Sequence, residues 1–333
     1  VEGQHVRKGE VLARGTPSRG LTCHASTSGT ITAITEHEVP NASGLPELCV
    51  ILEPDVLDSW VLLPPMDYLH ATHEEMLARI ANCGINGLGG AGFPTHSKLR
   101  QSLSKVHTVV LNACECEPFI TADDALMREH AAEIVLGARI MLRLCAADKC
   151  LIGIEDNKPV AIEAMRAAID DERIELVVVP TKYPSGAAKQ LIYILTGIEI
   201  PSGSLSINSG ILCHNVGTAR ALTRAVMHGE ALISRITTLT GAALGKPCNM
   251  EVLIGTPIAD LLLECDVDAG KLSRLINGGP LMGVQMPHAQ LPVLKTINCV
   301  IATTNEELPL PAPQQACIRC GFCTDVCPVS LLP

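Results

Sequence analysis

The chain has 333 residues, a formal net charge of −10 and only 2% aromatic residues. An acidic chain without a block of Lys or Arg lacks the basic surface of a nucleic-acid binder, and it has too few aromatic side chains to stack bases. We therefore exclude nucleic acid as a partner.

Hydrophobic residues make up 47% of the chain, but charges such as Arg139 and Arg143 interrupt even the most apolar helix candidate, residues 133–147. We therefore predict no membrane-spanning helix in the chain itself.

The amino-terminal residues alternate short β-type segments with turns as far as Ile51, as in residues 24–34. The chain starts inside such a pattern and without a Met, so we expect it to be a fragment of a longer protein.

Residues 87–94 form a glycine-rich loop in which Gly87, Gly89 and Gly92 match the pattern G-x-G-x-x-G. That pattern marks a dinucleotide-binding unit only where a strand enters the loop and a helix leaves it. Here a helical pattern precedes the glycines and the strand-like run 106–111 follows them, so an ordinary dinucleotide-binding unit is disfavoured. Glycines leave backbone N–H groups open to a phosphate, and Lys98 is placed to add charge. The alternative is a tight surface turn.

The middle of the chain alternates strand and helix patterns. Strands are predicted at 106–111, 150–154 and 176–180, and a capping box at Thr121 is predicted to open a helix to about Leu144. Strict alternation predicts a parallel sheet covered by helices, in which ligands lie beyond the carboxyl ends of the strands. Three loops are expected at that edge of the sheet: 112–118, 155–158 and 181–186.

Two carboxylates of the first of these loops, Glu115 and Glu117, are candidate site residues because they lie at a strand end near the glycine loop. The alternative is that both are solvent-exposed acids near the start of a helix, where the helix dipole favours negative charge. Asn215 precedes another predicted helix. It is either an ordinary N-cap or part of an anion site formed by the N-terminus of that helix.

The chain has fifteen cysteines. Free cysteine behaves as a small buried hydrophobe. Seven cysteines within apolar segments are predicted to be reduced core thiols: Cys83, Cys145, Cys150, Cys213, Cys248, Cys265 and Cys299. Reduced thiols and the lack of an export signal favour the cytoplasm.

Four further cysteines form the run C-x2-C-x2-C-x3-C-P near the carboxyl end: Cys317, Cys320, Cys323 and Cys327, followed by Pro328. This spacing is typical of a bacterial ferredoxin-type [4Fe–4S] cluster, whereas zinc sites use separated pairs or include histidine. The fourth cysteine of such a run ligates a second cluster where two are present. We therefore expect the intact protein to continue past Pro333 with a second motif.

Residues 87–98, read with 112–118, resemble the flavin-binding loop of the NADH-oxidising subunit of respiratory complex I. The resemblance to the RnfC-type subunits of Rnf/Rsx-type electron-transport complexes is closer and covers nearly the whole chain, including residues 154–159, 180–186 and 215–218 and the terminal cysteines. It implies a multi-domain α/β protein that holds FMN, NAD(H) and [4Fe–4S] clusters, two of them in the intact protein.

The resemblance also implies which residues form the site. Glu115 would orient the flavin ring region, and Glu117 would meet the nicotinamide ribose or amide. The residues expected to bind the cofactor are Gly87, Gly89, Gly90, Ala91, Gly92, Phe93, Lys98, Asn112, Tyr183, Gly186, Asn215 and Thr218. The chain departs from complex I at Cys114 and Cys116, where that family has Asp and Ser, and at residues 185–188, which replace its acidic loop.

The implied domains are a truncated barrel-sandwich hybrid, a Rossmann-like parallel α/β domain for FMN and NADH, a β-grasp domain, a Pro-rich linker and a truncated ferredoxin-type segment. Their expected bounds are 1–54, 66–232, 233–300, 301–316 and 317–333.

The function implied is that of a peripheral subunit on the cytoplasmic side of the inner membrane, within an ion-translocating complex. It would exchange electrons between NAD(H) and a ferredoxin-type iron–sulfur partner, with other subunits of the complex as partners. Two alternatives stay open: a scaffold or quinone-proximal subunit of the same fold without nucleotide chemistry, and a complex I dehydrogenase subunit. Intact glycines and the cysteine run disfavour the first alternative, and the missing acidic loop disfavours the second.

Overall fold

The computed structural model describes most of the chain, and its α/β fold confirms the predicted class. The described residues are 1–16, 20–41, 43–103, 105–309, 313, 315–327 and 331. Parts of the predicted Pro-rich linker, including Pro311, and residues 328–330 of the cysteine-rich segment lie outside them.

The amino-terminal part is a small all-β unit. Its strands are β1 (His5–Val6), β2 (Val11–Ala13), β3 (Cys23–His24), β4 (Gly29–His37) and β5 (Glu47–Pro54). β4 pairs antiparallel with both β1 and β5, while β2 pairs with β3. Val6, Ala25 and Ile31 form the small core beneath these strands.

The central part contains a parallel sheet between helices. Its elements are α1 (His73–Asn82), α2 (Thr95–Ser102), β6 (Thr108–Ala113), α3 (Ala122–Cys145), β7 (Lys149–Glu155), α4 (Pro159–Ala168), β8 (Ile174–Val179), α5 (Ala188–Thr196), β9 (Ile211–Asn215) and α6 (Val216–Thr223), followed by a π-turn at Arg224–His228. The strand order is β8-β7-β6-β9 and every pairing is parallel. β6 and β7 are almost fully buried, as expected of strands covered on both faces. The carboxyl ends of the strands, and with them the three predicted loops, therefore meet at one edge.

The prediction of α3 was right in extent but wrong in its cap. Thr121 makes no side-chain capping hydrogen bond. Instead the carboxylate of Glu115 accepts hydrogen bonds from the backbone N–H groups of Asp123 at 2.9 Å and Asp124 at 3.3 Å. A carboxylate from the preceding loop thus satisfies the free N–H groups at the helix start.

The carboxyl-terminal part contains a second sheet, which contacts α3. Its elements are β10 (Ser234–Thr240), β11 (Cys248–Leu253), α7 (Ile258–Glu264), β12 (Arg274–Asn277), β13 (Val284–Met286) and β14 (Cys299–Thr303). The strand order is β11-β10-β14-β12-β13. β14 ends at Thr303, so its last three residues fall within the segment predicted as a linker. A short helix, α8 (Phe322–Val326), lies among the terminal cysteines. No helix in the described parts of the chain has the length and apolarity to cross a bilayer.

Candidate functional site

Two of the predicted loops are hydrogen-bonded to each other at the carboxyl-terminal edge of the parallel sheet. At the end of β6, the side-chain amide of Asn112 donates a hydrogen bond to the carbonyl of Gly186 at 2.7 Å, and its oxygen accepts one from Cys114 N at 3.0 Å. Asn112 therefore holds the 181–186 loop against the 112–118 loop. Tyr183, in the same loop, is largely exposed beside it.

The glycine loop closes on itself between α1 and α2 and docks on the start of α6. Gly87 N donates to the carbonyl of Phe93 at 2.9 Å, and Leu88 N donates to the hydroxyl of Thr218 at 3.0 Å. A Cβ added at Gly89 would lie 3.2 Å from the Cβ of Asn215. A side chain at this position would be crowded where the loop approaches α6, and the N-terminus of α6 faces the loop.

The tip of the loop is open. Gly90 has a φ of +102°, a conformation that other residues rarely adopt, and a Cβ added there would meet nothing within 4 Å. A Cβ at Gly92 would lie 2.9 Å from Thr296, so that side of the loop is closely packed. Ala91 and Phe93 are exposed at the tip. The loop backbone therefore has no side chain covering it on one side and packs against the protein on the other. A phosphate-binding loop needs both features.

Two enclosed cations flank this loop without a carboxylate partner. Lys98, on α2, donates to the carbonyl of Cys213, and burial lowers the pKa of its ammonium. Arg235, on β10, donates to the carbonyls of Lys295 at 2.5 Å and Leu88 at 3.4 Å, and burial lowers its pKa to about 10. Among the described residues, no carboxylate oxygen lies within 4.0 Å of either group. Enclosed cations held only by carbonyls fit a site that takes an anion.

A second network ties the starts of α3 and α6 together. The side chain of Asn215 donates to Asp123 at 2.5 Å and accepts from Gly217 N at 2.8 Å, which confirms Asn215 as the N-cap of α6. Lys158 lies 3.9 Å from Glu115, whose side chain is only 5% exposed. Burial, and then the charge of Asp123, raise the pKa of Glu115 to about 8.

The raised pKa of Glu115 makes stability depend on pH. In the unfolded chain this carboxyl titrates near 4.5, so between about pH 4.5 and pH 8 the folded state binds more protons than the unfolded state. The free energy of unfolding should therefore fall as the pH rises through that interval. In Glu115→Gln the fall should be clearly smaller, measured by urea unfolding at several pH values. Glu129→Gln, an exposed position on α3, should keep the wild-type slope, and a Glu115→Gln slope equal to the wild type would contradict the assignment.

Glu117 is partly buried and contacts the second sheet. Its carboxylate accepts a hydrogen bond from Leu281 N at 3.2 Å, and a Cβ added at Gly279 would lie 1.6 Å from its Oε2. The β12–β13 loop, residues 278–283, thus packs directly on this carboxylate, and Leu281 and Met282 are exposed at its tip. Glu115 and Glu117, predicted as a pair, have different surroundings.

The sequence did not single out several of the residues that complete the site. Asp123 and Arg235 lie in a helix and a strand, where their charges look like ordinary surface residues. Glu155, the last residue of β7, is fully buried: its Oε1 accepts from the hydroxyl of Ser185 at 3.0 Å, and its Oε2 has no partner among the described residues. The sequence placed Glu155 in the 155–158 loop expected at the sheet edge but did not name it as a site residue, although its position at the end of a strand was a signal.

A cavity of about 250 Å³ lies next to the glycine loop. It shares Leu88, Asp123 and Gly217 with the site, and the pairs Arg220–Glu133 and Arg224–Glu230 lie along or beside its wall. The loop tip, Lys98 and Asn112 do not line it. Arg235 also lines the cavity, so one of the two enclosed cations faces it, whereas the loop tip and Lys98 lie outside it.

The terminal cysteines have the right donor chemistry for an iron–sulfur cluster. Cys317, Cys320 and Cys323 are exposed, and Cys327 is half-buried. Arg319 N donates to the sulfur of Cys317 at 3.4 Å, and Leu331 N donates to that of Cys327 at 3.4 Å. Within the described ranges, no group of three or more His, Cys, Asp or Glu side chains is gathered as a metal site. Four thiols at this spacing fit an iron–sulfur cluster.

Two family models match the chain. Residues 80–224 match the Nuo51 FMN-binding domain, and residues 1–56 match the RnfC barrel sandwich hybrid domain. The first match spans the glycine loop, the parallel sheet and α6.

Curated relatives match almost the whole chain. The C subunit of the ion-translocating oxidoreductase complex of Vibrio cholerae serotype O1 is 48% identical over 99% of this chain, and its counterpart in Pseudomonas aeruginosa is 47% identical over 99%. The chain spans 43% of the length of each of these two relatives. Among solved structures, an NAD⁺-reducing [NiFe]-hydrogenase in the H₂-reduced state aligns with a TM-score of 0.59 at 18% identity, over 73% of this chain and 49% of that one. At that identity the likeness concerns the fold alone.

Proposed function

The chain belongs to the RnfC family, the C subunits of ion-translocating oxidoreductase complexes, and from this premise we propose that it is the NADH-side electron-transport subunit of such a complex. It would be peripheral to the membrane, on its cytoplasmic side, and would exchange electrons between NAD(H) and a ferredoxin-type partner. The other subunits of the complex would hold it at the membrane.

One observation carries the proposal. The bare glycine loop contacts the N-terminus of α6 and Arg235, and Lys98 lies just after it on α2; among the described residues neither cation has a carboxylate oxygen within 4.0 Å, although the charges of Asp123 and Glu115 act on Arg235. Backbone N–H groups and positive charge without an ion-pair partner are what the phosphate of FMN needs. FMN, when bound, supplies the exchange between two-electron and one-electron carriers.

The protein's own residues would position the reactants. Asn112 fixes the two loops at the sheet edge, and Glu115 fixes the start of α3. Glu117, under the 278–283 loop, would meet the nicotinamide part of NADH. Hydride transfer depends on alignment more than on proton movement, so we assign these carboxylates positioning roles and no acid–base role.

The terminal cysteines would carry electrons away from the flavin site. Cys317, Cys320 and Cys323 would ligate one [4Fe–4S] cluster, Cys327 would ligate the second cluster expected in the intact protein, and each cluster passes one electron at a time. A ferredoxin-type protein is a matching partner because it is also a one-electron carrier.

The proposal is tested with the whole complex in inverted membrane vesicles. A chemically reduced ferredoxin-type protein and NAD⁺ are added under argon, and NADH formation is followed by its absorbance. We expect NADH to form, and vesicles that lack this protein should form none. If vesicles that contain the flavin-loaded protein form no NADH in this assay and oxidise none in the reverse direction, the exchange with NAD(H) is wrong.

A further inference from the structure

Two cysteines in the second sheet lie close together. The sulfur of Cys248, the first residue of β11, is 3.7 Å from the sulfur of Cys265, the residue that follows α7. Cys248 is exposed, although the sequence predicted a core thiol, whereas Cys265 is fully buried as predicted. One sulfur therefore meets solvent while the other lies directly behind it.

The backbone holds the two sulfurs in this arrangement. Lys246 N donates to the carbonyl of Cys265 at 3.0 Å, and Gly245 N donates to that of Asp266 at 3.1 Å. The segments that carry the two cysteines thus run side by side. A disulfide needs a sulfur–sulfur distance of about 2.0 Å, which small side-chain rotations provide when the backbones are already adjacent.

We propose that Cys248 and Cys265 form a reversible disulfide, with a small-molecule disulfide such as oxidised glutathione as the oxidant. The Cys248 thiolate attacks one sulfur of the oxidant, forms a mixed disulfide and releases one glutathione thiolate. Cys265, after losing its proton to water, attacks the Cys248 sulfur and releases the second glutathione. Two protein thiols become one disulfide, and one glutathione disulfide becomes two thiols.

The order of these steps follows from the surroundings of each thiol. Burial, and then the neighbouring Cys248 thiol, raise the pKa of Cys265 to about 12, so this residue is a poor first nucleophile. Once Cys248 carries glutathione, the buried sulfur is the nearest attacking group. Cys265 is thus the resolving residue and Cys248 the reacting one.

The pair lies close to the candidate site. Asn249, next to Cys248, exchanges hydrogen bonds with the hydroxyl of Thr121 at 3.0–3.1 Å and accepts one from Thr238 at 2.7 Å. Thr121 directly precedes α3, the helix that carries Asp123. The modification site is therefore one residue from a contact that supports the site, but its formation does not depend on the proposed function.

The test is peptide mapping of the full chain after incubation with oxidised glutathione under argon. We expect a linked peptide pair containing Cys248 and Cys265, a mass loss of about 2 Da for that pair, and reversal by dithiothreitol. Cys265→Ser should stop at a glutathione adduct on Cys248, and Cys248→Ser should leave Cys265 unmodified.

Exposed Cys23 serves as an internal control because its adduct shows that the oxidant reached the folded protein. A wild-type chain in which Cys248 keeps its glutathione, or in which Cys23 reacts while Cys248 and Cys265 stay reduced, would overturn the proposal. The wild-type map decides this even if a variant fails to fold.

Discussion

Replacing Lys98 by methionine is expected to weaken FMN binding roughly 10- to 100-fold, because a hydrogen bond to a charged group contributes about 1.5–3 kcal/mol. The ammonium of Lys98 is enclosed enough for burial to lower its pKa, is bonded only to the carbonyl of Cys213, and belongs to α2, which begins directly after the glycine loop. Methionine keeps the length of the side chain and removes the charge. The dissociation constant is measured by quenching of FMN fluorescence.

Riboflavin makes the Lys98 experiment specific, because it has the same ring system and no phosphate. Its affinity should be nearly the same for the wild type and for Lys98→Met. Lys105→Met, at an exposed lysine just after α2, should bind FMN like the wild type, and Lys98→Arg should retain much of the affinity. Equal FMN affinity of Lys98→Met and the wild type, with both folded by circular dichroism, would place the phosphate elsewhere.

Replacing Cys320 by serine is expected to remove most of the iron and sulfide bound by residues 317–327. A cluster that loses one thiolate ligand is rarely retained, whereas the flavin loop is built from other parts of the chain. FMN affinity should therefore stay unchanged. Iron and acid-labile sulfide are assayed after anaerobic reconstitution.

The matched control for Cys320→Ser is Cys23→Ser, an exposed cysteine in the amino-terminal sheet. It should bind as much iron as the wild type. Unchanged iron in Cys320→Ser would show that the cysteine run does not hold the cluster, and joint loss of iron and FMN would indicate general unfolding.

Much of the scaffold could be predicted because it depends on local patterns. The alternation of apolar strands with helices predicted a parallel sheet containing β6, β7 and β8 and the loops at its edge, as observed, whereas the fourth strand, β9, and the strand order were not predicted. Asn215 could be predicted as an N-cap because its amide oxygen suits the free N–H groups of the first helical turn, and it accepts from Gly217 N. Both inferences need only neighbouring residues.

Contacts between distant segments could not be predicted in this way. Glu115 caps α3 in place of the local candidate Thr121, because the loop after β6 folds back over the helix start. Glu117 contacts the 278–283 loop, more than 150 residues later in the chain. Arg235 reaches the carbonyl of Leu88 from the second sheet. Such pairings depend on how the sheets pack, which single-sequence periodicity does not contain.

The cysteines illustrate the same limit. Six of the seven predicted core thiols are buried, but Cys248 is exposed because it begins β11 at the end of a hairpin. Hydrophobic context alone identifies a segment as strand, and it does not say which of its residues face solvent. The proximity of Cys248 to Cys265 was therefore visible only in the fold.

The most direct test of the central claim is the anaerobic absorption spectrum of this chain, loaded with FMN, before and after a stoichiometric addition of NADH. If the glycine loop holds FMN next to a working nicotinamide position, the flavin absorbance bands should bleach in the wild type, and Lys98→Met should show little bound flavin to bleach. A wild-type chain that binds FMN but keeps an oxidised flavin spectrum in excess NADH would contradict the account.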